Sequence, residues 1–355
     1  MKQKFRLALI VGALLGAGLT TQGVAAPEKA DTRTASKKAA PANAKSAHKS
    51  VQKTESKTAP KVAAKAKSSP KKVAVAKSGK SMAVAAVHKP ARKVSFTDVD
   101  PDRLALYSAS ALVIDQVTGQ SLLDKNSHEV VPIASISKLM TAMVVLDAKL
   151  DLNEVIAIGD EDVDGLKGTR SRLPVGTTMT RETAMLLALM SSENRAAHTL
   201  GRHYPGGMPA FVAAMNRKAQ SLGMNSSRFE EPTGLSSNNV STARDLARMV
   251  TAAARYPEIR SFSTTAEAKL ELNGRISHFG NTNALVRSDN WEIGLSKTGY
   301  ISEAGRCLVM QARVADKPVV IVLLDSVGKM TRVGDANRIK RWMESASLAP
   351  DRKPA

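Results

Sequence analysis

The sequence predicts an α+β fold in which an antiparallel sheet, built from strands at both ends of the folded part, is covered by helices and carries an inserted, mainly helical lobe. Three observations predict it. An apolar hairpin pattern lies near residue 110, a second lies near residue 315, and helical periodicity dominates the stretch between them. A cleft between sheet and inserted lobe is a natural ligand site.

Residues 1–26 hold Lys2, Lys4 and Arg6, then a 13-residue apolar run from Leu7 to Leu19, then Val24-Ala25-Ala26 before Pro27. This reads as a signal peptide removed on export. The run is shorter than the roughly 18 to 20 residues that span a bilayer. Residues 27–94 are almost wholly Lys, Ala, Ser, Pro, Val and Thr, with 18 basic residues against 3 acidic ones and no aromatic, Leu or Ile. Such a stretch cannot bury enough apolar surface to offset its conformational entropy, so a disordered linker is expected. Its net +15 carries most of the chain's +20. A basic tail of this kind suggests nucleic acid, but export to the periplasm argues against that partner. Anionic lipid head groups or acidic wall polymers are the expected attractants, held by screened attraction, unless the linker is a plain spacer.

The folded part is expected over residues 95–345, with a short tail at 346–355. Ser110–Asp115 and Ser121–Asp124 form the first hairpin, turning at Gly119. Helices follow at 137–148, 180–190, 194–203, 208–222 and 242–254. Strands at 306–314 and 318–325 turn at Ala315-Asp316-Lys317, and a last helix covers 334–343. The single cysteine, Cys307, excludes an intramolecular disulfide and sits in an apolar run, as a buried small hydrophobe does.

Three short motifs carry chemistry. Ser135-Ile136-Ser137-Lys138 opens the apolar stretch Leu139–Leu146, and residues three apart share a helix face, so Lys138 can reach the Ser135 hydroxyl. Burial or a neighbouring cation lowers a lysine pKa and makes it a base. The spacing alone is weak, since Ser-x-x-Lys starts at six serines, four of them in the linker and one at Ser326 in an expected loop. A helix-capping serine followed by a surface lysine fits equally. Ser192-Glu193-Asn194 lies between two helices and offers a hydroxyl and an amide. Lys297-Thr298-Gly299 occurs once and is read as the end of a strand edge, where a cation and a hydroxyl meet a substrate carboxylate and the glycine admits a ligand backbone.

In this order, 57 and 105 residues apart, the trio resembles that of the penicillin-binding proteins and class A β-lactamases. Residues 95–343 are similar to the low-molecular-mass penicillin-binding proteins, the D-alanyl-D-alanine peptidases with a β-lactamase-like fold. Further similar stretches are Pro132–Thr141, Glu231-Pro232-Thr233-Gly234-Leu235, Ser241–Leu246 and Lys297–Tyr300. The resemblance implies that Ser135 is acylated by a D-Ala carbonyl, that Lys138 takes its proton, and that Ser192 with Lys297 returns a proton to the leaving amine. It implies an oxyanion site between the backbone amides of Ser135 and Tyr300, substrate orientation by Asn194 and Thr298, and an arginine before the last helix, Arg332, near the substrate carboxylate. β-Lactams would be covalent inhibitors.

Met190–Ala197, His203–Gly207 and Glu303–Met310 look most like the DD-endopeptidase branch. The end of the chain soon after its last helix is expected to favour a soluble endopeptidase over a carboxypeptidase. Three other readings fit the sequence less well. A β-lactamase needs a water-activating carboxylate, and Glu231 lies near the position, but Gly234 and Leu235 stand where Leu and Asn belong. A zinc peptidase has no support in the spacing of the six histidines, so no metal or other cofactor is expected. A non-catalytic wall-binding protein conflicts with retention of all three motifs.

Overall fold

The computed structural model describes residues 104–348, so the expected signal peptide, the linker and the last seven residues lie outside the described residues. In chain order the elements are β1 (Ser108–Asp115), β2 (Ser121–Lys125), β3 (Val131–Pro132), a 3-10 turn (Ala134–Ile136), α1 (Ser137–Asp147), β4 (Val155–Ala157), a second 3-10 turn (Asp160–Asp162), β5 (Thr178–Thr180), α2 (Arg181–Met190), α3 (Asn194–Arg202), α4 (Gly207–Ser221) and β6 (Val240–Ser241). Then come α5 (Ala243–Ala253), α6 (Pro257–Thr264), β7 (Glu267–Leu272), β8 (Arg275–Gly280), a third 3-10 turn (Ala284–Arg287), β9 (Glu292–Ile301), β10 (Gly305–Val314), β11 (Lys317–Ser326) and α7 (Thr331–Leu348).

The main sheet has five antiparallel strands in the order β2-β1-β11-β10-β9, so the first strand pairs with the last, Ser110 opposite Leu324 and Val113 opposite Ile321. Both faces are covered, which is why β11 reads as the unbroken apolar run Val319–Leu324 rather than as an alternation. Leu112, Val309, Val320, Val322 and Leu324 face the helical lobe. Ala111, Val113, Met310, Ile321 and Leu323 pack under Ala336, Ile339 and Met343 of α7. Helix α1 is buried on nearly every side and forms the hub of the helical lobe. Thr180 and Thr242 cap α2 and α5 by accepting from the amides three residues on.

Both predicted hairpins form, the second on two left-handed turn residues, Ala315 (φ 48°) and Asp316 (φ 61°). Three expectations need correction. Lys297-Thr298-Gly299 does not end its strand, because β9 continues to Ile301; it lies along the free edge of the sheet. Helix α7 begins at Thr331, so Arg332 stands inside its first turn rather than before it. Ser326 closes β11 instead of sitting in a loop, and its buried hydroxyl meets that of Ser108 at 2.6 Å. The middle lobe also contains strands, notably the β7–β8 hairpin that turns at Asn273-Gly274.

Candidate active site

Ser135 is the central residue of the 3-10 turn before α1, not a residue of the α-helix itself, and is partly exposed. The turn is entered through Ala134 at φ 49°, a left-handed conformation that costs a non-glycine residue roughly 1–2 kcal/mol and persists only where its surroundings impose it. They do so from two sides. A β-carbon on Gly234 would lie 1.9 Å from the Ala134 carbonyl oxygen, and one on Gly299 would lie 2.9 Å from the Ile133 oxygen and 3.1 Å from the Ser135 nitrogen. Gly299 therefore admits the chain's own backbone, a close approach that the sequence reading did not anticipate.

One turn on, Lys138 is completely buried, and its Nζ lies 2.8 Å from Ser135 Oγ, 2.8 Å from Asn194 Oδ1 and 2.6 Å from the Thr233 carbonyl. Burial lowers its pKa to about 7, and the carboxylates of Glu231 and Glu193, which favour the charge, only partly offset that cost. The helix-cap reading of this motif fails, because Lys138 is fully buried against Ser135, Asn194 and Thr233 rather than at the surface.

The second motif occupies the junction of α2 and α3. Ser192 takes φ 61°, another left-handed non-glycine position, and its hydroxyl accepts from Lys297 Nζ at 2.9 Å. Glu193 is buried between Ser171 Oγ (2.7 Å) and Arg172 Nε (2.8 Å). Asn194 accepts from Lys138 and donates through Nδ2 to Thr169 Oγ1 at 3.0 Å. Three consecutive side chains thus reach three separate parts of the site.

On β9, Lys297 is 1% exposed, and burial, then the positive charges of Lys138 and Arg332, push its pKa well below the ordinary lysine range. Thr298 donates to Thr282 Oγ1 at 2.7 Å. Arg332 lies beside the same strand and donates to the Gly299 carbonyl at 2.9 Å. The Tyr300 ring is exposed, with the Arg306 guanidinium 4.4 Å from its centre. The three motifs meet: one hydroxyl stands beside a buried amine whose pKa is lowered to about 7, and a second hydroxyl stands beside a second buried amine. That pairing suits nucleophilic attack followed by protonation of a leaving group.

Thr169, Thr233 and Thr282 escaped the sequence reading as functional positions. Only Thr233 had a signal, inside the Glu231–Leu235 stretch; Thr169 and Thr282 lie in loops with none. Glu231 does not face the site as a free carboxylate. Its oxygens accept from the amides of Thr233 (2.6 Å), Gly234 (2.6 Å) and Ser236 (3.2 Å) and from the Thr233 hydroxyl. His198 and His203 anchor α3, the first on Asp162 (2.7 Å) and the second on the Thr199 carbonyl (3.0 Å). Cys307 is buried, and burial raises its thiol pKa to about 11.

Comparison with known proteins agrees with this geometry. Residues 95–328 match the model of a family described as D-alanyl-D-alanine carboxypeptidase, peptidase S11. Similar curated proteins include a D-alanyl-D-alanine endopeptidase of Pseudomonas aeruginosa, 50% identical over 70% of this chain and 81% of the relative, and one of Escherichia coli, 49% identical over 68% and 79%. Among solved structures, the Streptomyces K15 DD-transpeptidase aligns at TM-score 0.63 and 26% identity over 68% of this chain and 98% of its own. A D-alanyl-D-alanine carboxypeptidase of Mycobacterium tuberculosis aligns at 0.62 and 27% over 70% and 94%.

Proposed function

Because the chain belongs to the peptidase S11 family and is a serine DD-peptidase, we propose that it cleaves D-Ala peptide bonds of peptidoglycan through an acyl-enzyme on Ser135. The observation that carries this reading is the Lys138 environment. A neutral lysine amine has two N–H groups and one lone pair. The Thr233 carbonyl and Asn194 Oδ1 can only accept, so they take the two N–H groups, and the lone pair is left facing the Ser135 hydroxyl.

Lys138 removes the Ser135 proton as Oγ bonds to the D-Ala carbonyl carbon. The negative charge gathers on the carbonyl oxygen, between the amides of Ser135 and Tyr300, an arrangement supported by the packing of the Gly299 backbone against the nucleophile turn. When the C–N bond breaks, Ser192, in contact with Lys297, delivers a proton to the leaving nitrogen. Asn194 and Thr298 orient the peptide, and Lys297 and Arg332 supply the positive field for a carboxylate next to the scissile bond. Water then hydrolyses the ester and restores Ser135. No uncommitted carboxylate stands at Glu231 to speed that step, so a β-lactam, which leaves the same ester, would be held for long periods.

The endopeptidase reading rests on relatives of that name at 50% and 49% identity, against 30% for a Bacillus subtilis carboxypeptidase. Its substrate would be the D-Ala to diaminopimelate cross-link. That substrate lies outside the cytoplasm, so residues 1–26 are proposed to direct export to the periplasm. The basic linker is proposed to hold the enzyme near anionic wall polymers or lipids.

The test is digestion of purified cell-wall sacculi, followed by separation of the fragments. Cross-linked dimers are expected to fall while terminal D-Ala of pentapeptides persists. Ser135→Ala is expected to cleave nothing and to gain no mass on exposure to penicillin. Loss of terminal D-Ala alone would replace the endopeptidase with a carboxypeptidase.

A further inference from the structure

The loop before β5 touches the site at one point that lies outside the three motifs. Asn194 Nδ2 donates to Thr169 Oγ1 (3.0 Å), and Thr169 Oγ1 donates to Asp164 Oδ2 (2.6 Å). Asp164 also shapes the loop itself, accepting from the amides of Leu166 (2.8 Å), Lys167 (3.0 Å) and Thr169 (2.8 Å). Burial works against its charge, but the hydrogen bonds from Thr169 and the loop amides outweigh it and hold the carboxyl below its ordinary range.

The direction of this chain of hydrogen bonds follows from what each group can do. An ionised carboxylate only accepts, so the single proton of the Thr169 hydroxyl points at Asp164. The hydroxyl then has only lone pairs left for Asn194, which must present its NH2. A side-chain amide that turns its nitrogen toward Thr169 turns its oxygen toward Lys138. An amide free to flip would instead offer N–H groups to the lysine, which would bond the lone pair that Ser135 needs.

Building on the Ser135–Lys138 reading, we infer that Thr169, held by Asp164, is a positioning residue that locks the Asn194 amide so that the Lys138 lone pair stays directed at Ser135. Thr169 is exposed, so replacing it leaves the fold intact. The loop has a second attachment, the ion pair of Lys167 with Glu303 in the β9–β10 turn, which separates placement of the loop from polarity of the relay.

The experiment measures acylation of the full chain by excess benzylpenicillin, read as intact mass against time, from pH 5.5 to 9. Lys138 is faced by Glu193, Glu231 and, across the site, Lys297, and none of these changes in the variants. The parent rate should fall below about pH 7, where Lys138 is protonated. Thr169→Val should lower the plateau about tenfold or more. It should also move the acid limb to lower pH, because the ammonium has lost an acceptor. Thr169→Ser should restore both plateau and limb, and Lys167→Ala should behave as the parent. A parent-like Thr169→Val, a Thr169→Ser as impaired as the valine variant, or an equal loss in Lys167→Ala would each overturn the inference. Absence of an adduct on the parent itself would sink the Ser135 reading and this inference with it.

Discussion

At the scale of single residues, the proposed base is a liability to the fold. Lys138 titrates near 7 in the folded chain and near 10.5 when unfolded. Between those values the unfolded chain binds more protons, so stability rises with pH across that window, and below it the full penalty applies. Lys138→Met is therefore expected to be inactive yet more stable than the parent below pH 7, by about 1 kcal/mol or more. The advantage should shrink toward pH 10; thermal denaturation at pH 6 and pH 9 checks it, and an equal gap at both would refute the titration argument. Ser135, Lys138, Ser192, Asn194 and Lys297 were legible because their spacing is a recognisable pattern. Thr169 was not, because its contribution is the direction of one hydroxyl proton, set by a carboxylate five residues away in a loop without periodicity.

Secondary-structure elements reached the site in two ways. The terminal hairpins and six of the seven described helices were readable from apolar periodicity and turn residues. Helix α6, eight residues long, offers too few turns for a period to show. The β7–β8 hairpin had two signals that the reading passed over, Asn273-Gly274 between Leu272 and Arg275 and the strict charged-apolar alternation of β7, Glu267-Ala268-Lys269-Leu270-Glu271-Leu272. Register against other elements was not legible at all, and it decides the site, since β9 and the 231–235 loop clasp the nucleophile turn through two glycines. Gly299→Ala should push β9 off that turn and slow acylation by penicillin about tenfold. Gly234→Ala adds a forbidden φ to a backbone collision and should cost about 2 kcal/mol or more of stability in thermal melts. If Gly299→Ala acylates like the parent, the clasp is not what sets the nucleophile.

Across the whole molecule, two distant stretches of chain are tied by one buried carboxylate. Asp335 of α7 accepts from the Ser108 amide (2.7 Å), the Ser108 hydroxyl (2.6 Å) and the Tyr107 amide (3.1 Å), and pairs with Arg338. Asp335→Ala leaves these donors buried and should cost about 2–4 kcal/mol, a drop of roughly 5–10 °C in melting temperature. Penicillin acylation at 25 °C should be unchanged, because Asp335 bonds to β1, three strands from β9; a matching loss of acylation would mean that the α7 end carrying Arg332 couples sheet closure to site geometry. The alliance of the two terminal hairpins was legible from their order; the carboxylate that fastens it was not, since Asp335 looks like any polar residue on a surface helix. A last consequence concerns descent under antibiotic pressure. Glu231 already holds the loop that gives Lys138 its Thr233 acceptor, so recruiting it to activate water would dismantle the base. A lineage of this enzyme facing β-lactams is thus pressed toward acylating poorly, and away from turning the drug over.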